Sequence, residues 1–245
     1  MASAVVPAGP LDPASRPHVL YRRRYVWQWP VRIFHWVNAT AVTVLFSTGL
    51  YVAWPRLAPA GEAYGNNVMG LVRMIHFAAG LLFLVNFLWR IYWFWMGNNY
   101  ARSGFPMYWK AAWWRDLRQQ VTDYLRLRRG HVHLGHNALA GLSYSLFVIG
   151  LGWAQIVTGL ALYSESHPGG RLDRLVGWVL PLLGGSMSTR MWHHLFAWGF
   201  VVFAILHVYI VFYDGLQFRN GLVGSIVSGE KFYREGDLDR ETWLS

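Results

Sequence analysis

The stretch MWHHLFAWGFVVFAILHVYIV, residues 191–211, is apolar enough to lie in lipid yet carries three histidines, His193, His194 and His207. Two more, His35 in VWQWPVRIFHWVN and His76 in RMIHFAAGLLFLVNFLWR, sit in equally apolar surroundings. An imidazole withdrawn from water is costly unless it is hydrogen-bonded or ligates a metal, so buried histidines point to function. A single one is readily explained by a bond to a nearby carbonyl. A set at matching depths on different segments is not.

Spacing narrows the chemistry. His193 and His207 are fourteen residues apart, which on an α-helix leaves them about 40° apart in azimuth and about 21 Å apart along the axis. The thirteen residues from His194 leave about 140° instead, so an unkinked helix points His193 and His207 to one side and His194 elsewhere, Gly199 being the residue at which it could bend. His35 then falls at the depth of His207, and His76 at that of His193. Two imidazoles from facing helices provide the axial ligands of a b-type haem without covalent attachment. The expectation is two haems b, one between His35 and His207 and one between His76 and His193. The same fourteen-residue step from His35 reaches Gly49, where a missing side chain leaves room for the outer macrocycle. From His76 it reaches Arg90, at the depth of the inner haem, which either pairs with a propionate or snorkels to the headgroups. Arg73 has the same choice at the other surface.

Such a ladder requires helices that cross a bilayer. Of the 245 residues 54% are apolar, 17% aromatic and only 14% charged, about half the charged share of a soluble domain. Four blocks have the roughly 20 residues a crossing needs, at about 33–52, 71–96, 138–163 and 192–213, several flanked by Trp and Tyr as expected at headgroup level. The predicted fold is therefore an all-α integral membrane protein, a four-helix bundle. Residues 1–24 read as a disordered tail, 25–219 as the diheme domain and 220–245 as a second tail. No internal repeat is evident. The Pro- and Ala-rich start lacks the apolar core of a signal peptide. Of the 22 Lys and Arg, sixteen fall in the two tails and the loop between the second and third blocks, against five on the other side. This places both termini in the cytoplasm and assigns the net charge of +10 to the membrane surface rather than to nucleic acid. The run RLDRLVGWVLPLLGG (171–185) is too short to span, and is expected to lie along the outer surface or fold back on the bundle as a short interfacial helix. A fifth span there would separate the termini.

Other constellations are weaker. The absence of cysteine excludes disulfides, iron–sulfur ligation by Cys and covalent haem attachment. His131, His133 and His136 in RGHVHLGHN lie close together without an acidic neighbour in sequence and read as surface histidines, although His136 or Asn137 could touch a quinone headgroup. His167 belongs to an outer loop. No Walker loop, GxGxxG or HExxH occurs.

The segments around the four histidines, together with HNALAGLSYSLFVIGLGWAQIVTGLALY in the third block, resemble the b-type cytochrome subunit of membrane-bound nickel–iron uptake hydrogenases over nearly everything after the tail. The resemblance implies two haems b ligated by His35, His76, His193 and His207. It implies electrons arriving in the periplasm from the iron–sulfur small subunit, itself paired with the large subunit. They would enter the haem of His76 and His193, pass to that of His35 and His207, and reduce ubiquinone or menaquinone. It further implies a location in the bacterial inner membrane and a second role as membrane anchor. Such a chain does not activate hydrogen, but is the expected site of quinone reduction within a hydrogen:quinone oxidoreductase complex. The competing readings are the gamma-type cytochrome subunit of a formate dehydrogenase or a related b561-like protein, a haem-free anchor, and a transporter with histidines as proton relay. The lack of Asp or Glu in the first three blocks argues against the last.

Overall fold

The computed structural model describes residues 21–55, 67–128 and 133–234. Four long apolar helical stretches dominate it: α1 (Trp29–Ala53), α2 (Val68–Met96), the stretch Ala138–Ser164, and α9 (Ser186–Phe218). Each has the length and composition to cross a bilayer, and the chain is an integral membrane protein. Pro30 opens α1 at a position where its missing N–H costs nothing. The third crossing is composite: α5 (Ala138–Ser143), a seven-residue π-helical turn (Tyr144–Gly150) and α6 (Leu151–Ser164). Such turns widen a helix locally and re-aim the side chains that follow.

Helix α1 packs along α2, and α6 packs along α9. The two pairs are joined by an apolar layer in the middle of the bundle, built from Phe34 and Ala41 on α1, Phe83 and Phe87 on α2, Val148 and Ile156 on the third crossing, and Phe200 on α9. The Phe83 and Phe200 rings meet edge to face with centroids 6.1 Å apart. Asn86 is buried in this layer and is satisfied by donating to the Phe34 carbonyl at 3.1 Å. Outside the layer, Leu81, Val85 and Leu88 on α2 and Val202, Ile205 and Tyr209 on α9 stand exposed, as befits a surface solvated by hydrocarbon tails.

The first and last described segments meet on one face, called here the terminal face. Strand β1 (Tyr21–Tyr25) pairs antiparallel with β2 (Glu230–Arg234), Tyr21 opposite Arg234 and Tyr25 opposite Glu230. The boundaries expected at residues 24 and 220 therefore differ from the structure: residues 21–24 form a strand, and residues after 220 form α10 (Leu222–Ser228) and β2. An Arg-rich YRRRY segment gains order through a partner some two hundred residues away. Gly229 joins α10 to β2 at φ +85°, and a β-carbon there would lie 2.7 Å from the Trp27 carbonyl oxygen. Its own carbonyl accepts from the backbone N–H groups of Val26 and Trp27 at 2.8 and 3.0 Å. Among the described residues the run 171–185 forms two short helices and not a fifth span.

Two other segments outside the crossings are ordered. Between the second and third crossings lie α3 (Asn99–Arg102) and the amphipathic α4 (Ala111–Leu125). The latter buries Trp113 against Ala138 and Leu142 at the start of the third crossing. On the far face, α7 (Arg171–Val176) and α8 (Val179–Leu182) fold back so that Val176 and Val179 cover Ala161, while Leu175, Trp178 and Leu182 remain exposed. This is the expected short helical segment in the second outer loop.

Gly152 shows how closely the helix pairs approach: a β-carbon there would lie 2.7 Å from the ring of Phe87, which is itself fully buried. Gly152→Val is expected to destabilise the fold by about 1–3 kcal/mol through overpacking, read as a lower Tm in detergent. An unchanged Tm would show that Phe87 yields.

Candidate haem sites

The histidines of the bundle gather at two levels. Near the terminal face, His35 on α1 faces His207 on α9 with ring centroids 6.2 Å apart and ring planes at 48°. A metal held between two imidazole nitrogens by bonds of about 2 Å would separate the ring centroids by about 6 Å, so this pair is spaced to share one iron. Phe203, one turn before His207, stacks on its ring at 5.5 Å, and Phe147 stacks on Phe203 at 5.2 Å. Nδ1 of His35 is buried without a hydrogen-bond partner.

Near the far face, His76 on α2 and His193 on α9 lie within electrostatic reach of each other. Each is backed by a threonine from the neighbouring helix. Thr48 Oγ1 lies 2.9 Å from Nδ1 of His76, and Thr158 Oγ1 lies 2.9 Å from Nδ1 of His193. Beside each threonine a glycine lets the ring approach. A β-carbon on Gly49 would meet Cε1 of His76 at 3.4 Å, and one on Gly159 would meet Cε1 of His193 at 3.1 Å. What Gly49 accommodates here is thus an imidazole. His193 also has the Gln155 side-chain amide 3.1 Å from Nε2. His194, the next residue on α9, is exposed. Thr48, Thr158, Gln155 and Gly159 were not singled out from sequence, yet a signal exists. The tripeptide Thr-Gly-Leu occurs at 48–50 and again at 158–160, once near the far end of each rising helix.

Arg90 does not snorkel. It is buried on α2 with its guanidinium donating to the Ala101 carbonyl at 2.6 Å, between the rings of Phe34 and Tyr144 at 5.9 and 5.3 Å. Arg73, at the opposite end of α2, lies 5.8 Å from the Phe77 ring.

The histidines expected at the surface require correction. His136 is bonded through Nδ1 to Ser103 Oγ at 3.0 Å and stands edge-on to Trp27. Burial lowers its pKa to about 3, with the charges of Lys231 and Arg90 acting in the same direction. His133 lies 3.4 Å from Asp116 and 3.2 Å from Gln120, both on α4, so folding supplies the acidic partner that the local sequence lacks. Asn137 caps α5 by accepting from the Ala140 N–H at 2.7 Å and also donates to Gln120. His131 lies outside the described residues. Farther along the same face, Tyr124 donates to Asp214 at 2.8 Å, and burial together with that carboxylate pushes its phenol well above the usual range. His167 is bonded to its neighbour Ser166 at 3.0 Å on the far face.

Imidazoles facing one another across a bundle of membrane-spanning helices are the arrangement that a cytochrome of the b class requires. A profile of the family described as prokaryotic cytochrome b561 matches residues 26–229, and the chain belongs to that family. Among its relatives is a probable Ni/Fe-hydrogenase B-type cytochrome subunit of Azotobacter chroococcum mcd 1, 40% identical over 220 residues, covering 88% of this chain and 91% of the relative. A protein of the same description from Cupriavidus necator is 37% identical over 215 residues, with 86% and 88% covered. The probable Ni/Fe-hydrogenase 1 B-type cytochrome subunit of Escherichia coli (strain K12) is 33% identical over 224 residues, with 89% and 94% covered.

The residues present fit haem. A porphyrin fills four coordination positions of its iron, so the protein owes each iron two donors. Among the described residues no group of three or more His, Asp or Glu side chains converges as a bare metal would need, whereas the histidines converge in twos. Because Gly159 has less room than Gly49, Gly159→Ala is expected to push the His193 ring and, if a haem is held there, to alter its absorption. Gly49→Ala should leave the spectrum close to that of the parent protein. Equal spectra for both variants would count against the tight seating of His193.

Proposed function

We propose that this chain is the electron-transfer and anchoring subunit of a membrane-bound nickel–iron hydrogenase, standing between a periplasmic iron–sulfur small subunit and the quinone pool. The observation that carries this reading is the facing of His35 and His207 across the bundle with ring centroids 6.2 Å apart. It is supported by the family of the chain and by the descriptions of its relatives.

In this reading His35 and His207 hold one haem b, and His76 and His193 hold the other. Bound there, the haems supply one-electron chemistry at two depths, suited to linking a one-electron donor to ubiquinone or menaquinone. The chain fixes their separation through the fourteen-residue step from His193 to His207, about 21 Å of helix rise. It keeps water from the space between with the layer of Phe83, Phe87 and Phe200. Arg90, a buried cation with no carboxylate paired to it among the described residues, is placed to donate to a propionate of the haem nearer the terminal face. The excess of Lys and Arg expected on that side supports a cytoplasmic terminal face, in a bacterial inner membrane. The large subunit, which activates hydrogen, is reached only through the small one.

Haem quantification and a dithionite-reduced spectrum of the full chain, purified with its bound subunits, are expected to give two haems b per chain. A chain devoid of b-type absorption would be a haem-free anchor. His193→Ala is expected to lower the count to one, while His194→Ala keeps two, and the reverse result would refute the assignment on α9. Arg90→Leu is expected to shift one of the two midpoint potentials in a redox titration. A titration identical to that of the parent would remove Arg90 from the site.

A further inference from the structure

The two threonines that back the far-face histidines have no proton of their own to give. Thr48 Oγ1 lies 2.6 Å from the carbonyl oxygen of Val44, one turn earlier on α1, and Thr158 Oγ1 lies 2.7 Å from that of Ala154 on α6. A hydroxyl has one hydrogen, and a carbonyl can only accept, so both hydrogens are committed along their own helices. The contacts of 2.9 Å to Nδ1 of His76 and of His193 are therefore made with the threonine oxygen accepting and Nδ1–H donating. That fixes each imidazole in one tautomer, with the proton on Nδ1 and a lone pair on Nε2. A second contact agrees: Nε2 of His193 faces the amide nitrogen of Gln155 at 3.1 Å, which can only donate. Iron would take the place of that donor.

We infer that Thr48 and Thr158 are positioning residues for the far-face haem, which hold His76 and His193 as Nε2 ligands and, by drawing on the Nδ1 proton, make them stronger donors. The inference rests on the haem reading of these two histidines. A hydrogen bond from the far nitrogen raises the basicity of a ligating imidazole. A more basic ligand favours ferric over ferrous iron, so the two hydroxyls hold the midpoint potential of that haem down. The other pair is built differently. His35 Nδ1 is buried with no partner among the described residues, and His207 has a stacked Phe203 beside it. The Leu45 backbone also hydrogen-bonds His76, a contact that remains when Thr48 is replaced. Loss of Thr158 thus has the larger consequence.

The test is a spectroelectrochemical titration of the haem-loaded full chain in detergent, with the far-face wave identified as the one that His193→Ala removes. Thr158→Val keeps the side-chain shape and removes the acceptor, and should move that wave to higher potential while the other stays in place. Thr48→Val should move it in the same direction by less. Thr158→Ser should restore the parent value. If the valine variant loses the far-face haem and the serine variant retains it, the acceptor role stands. Two haems with both waves unmoved in Thr158→Val, an equal shift of both waves, or loss of the haem in the serine variant as well would overturn the inference. A parent chain that binds no haem would instead overturn the reading on which it rests.

Discussion

An imidazole carried into hydrocarbon keeps two polar ring nitrogens that water no longer serves, and the fold is arranged around that debt. At the far face each ring gives Nδ1–H to a threonine of a neighbouring helix, and small residues beside the threonines let the rings come close. At the terminal face two rings turn toward one another instead. A bundle that met this demand with carbonyl bonds alone would have no reason to present imidazoles in pairs. The aromatic layer between the two levels joins the helix pairs and isolates one pair of histidines from the other.

The helix pairs repeat one another more closely than the sequence as a whole suggests. On α2 the residues His76, Phe83 and Arg90 follow at intervals of seven, and on α9 the residues His193, Phe200 and His207 do the same. Seven residues return a helix to within about 20° of its starting azimuth, so each triplet lines one face. Phe83 and Phe200 touch at the centre, and each histidine above them is met by a Thr-Gly-Leu segment from its partner helix. The correspondence fails at the terminal face, where α2 has an arginine and α9 a histidine. One site is thus built from matched halves. The other takes its second imidazole from α1, with a buried guanidinium occupying the position that a symmetric design would give to histidine.

The four crossings were legible because length and apolarity are properties of a continuous segment. What escaped was whatever depends on two segments at once. The strand Tyr21–Tyr25 looks like a solvated run of charge until Glu230–Arg234 lies beside it. His133 has no acidic neighbour until α4 brings Asp116 to it. The π-helical turn at Tyr144–Gly150 packs on α9, and nothing in YSLFVIG announces it. Thr48 and Thr158 fall between these cases. Their repeated tripeptide is visible in the sequence, but its meaning depends on the register between helices.

The two-stranded clasp at the terminal face ties the first described residues to the last. Trp27 donates through its indole to Ser225 across 198 positions, Arg32 reaches the carbonyl of Val227, and Gly229 receives the backbone of Val26 and Trp27. In synthesis Tyr21–Tyr25 precedes its partner strand by some two hundred residues, so the sheet closes only after the four crossings between them have been made. The clasp thus joins in one contact segments that the crossings separate in time.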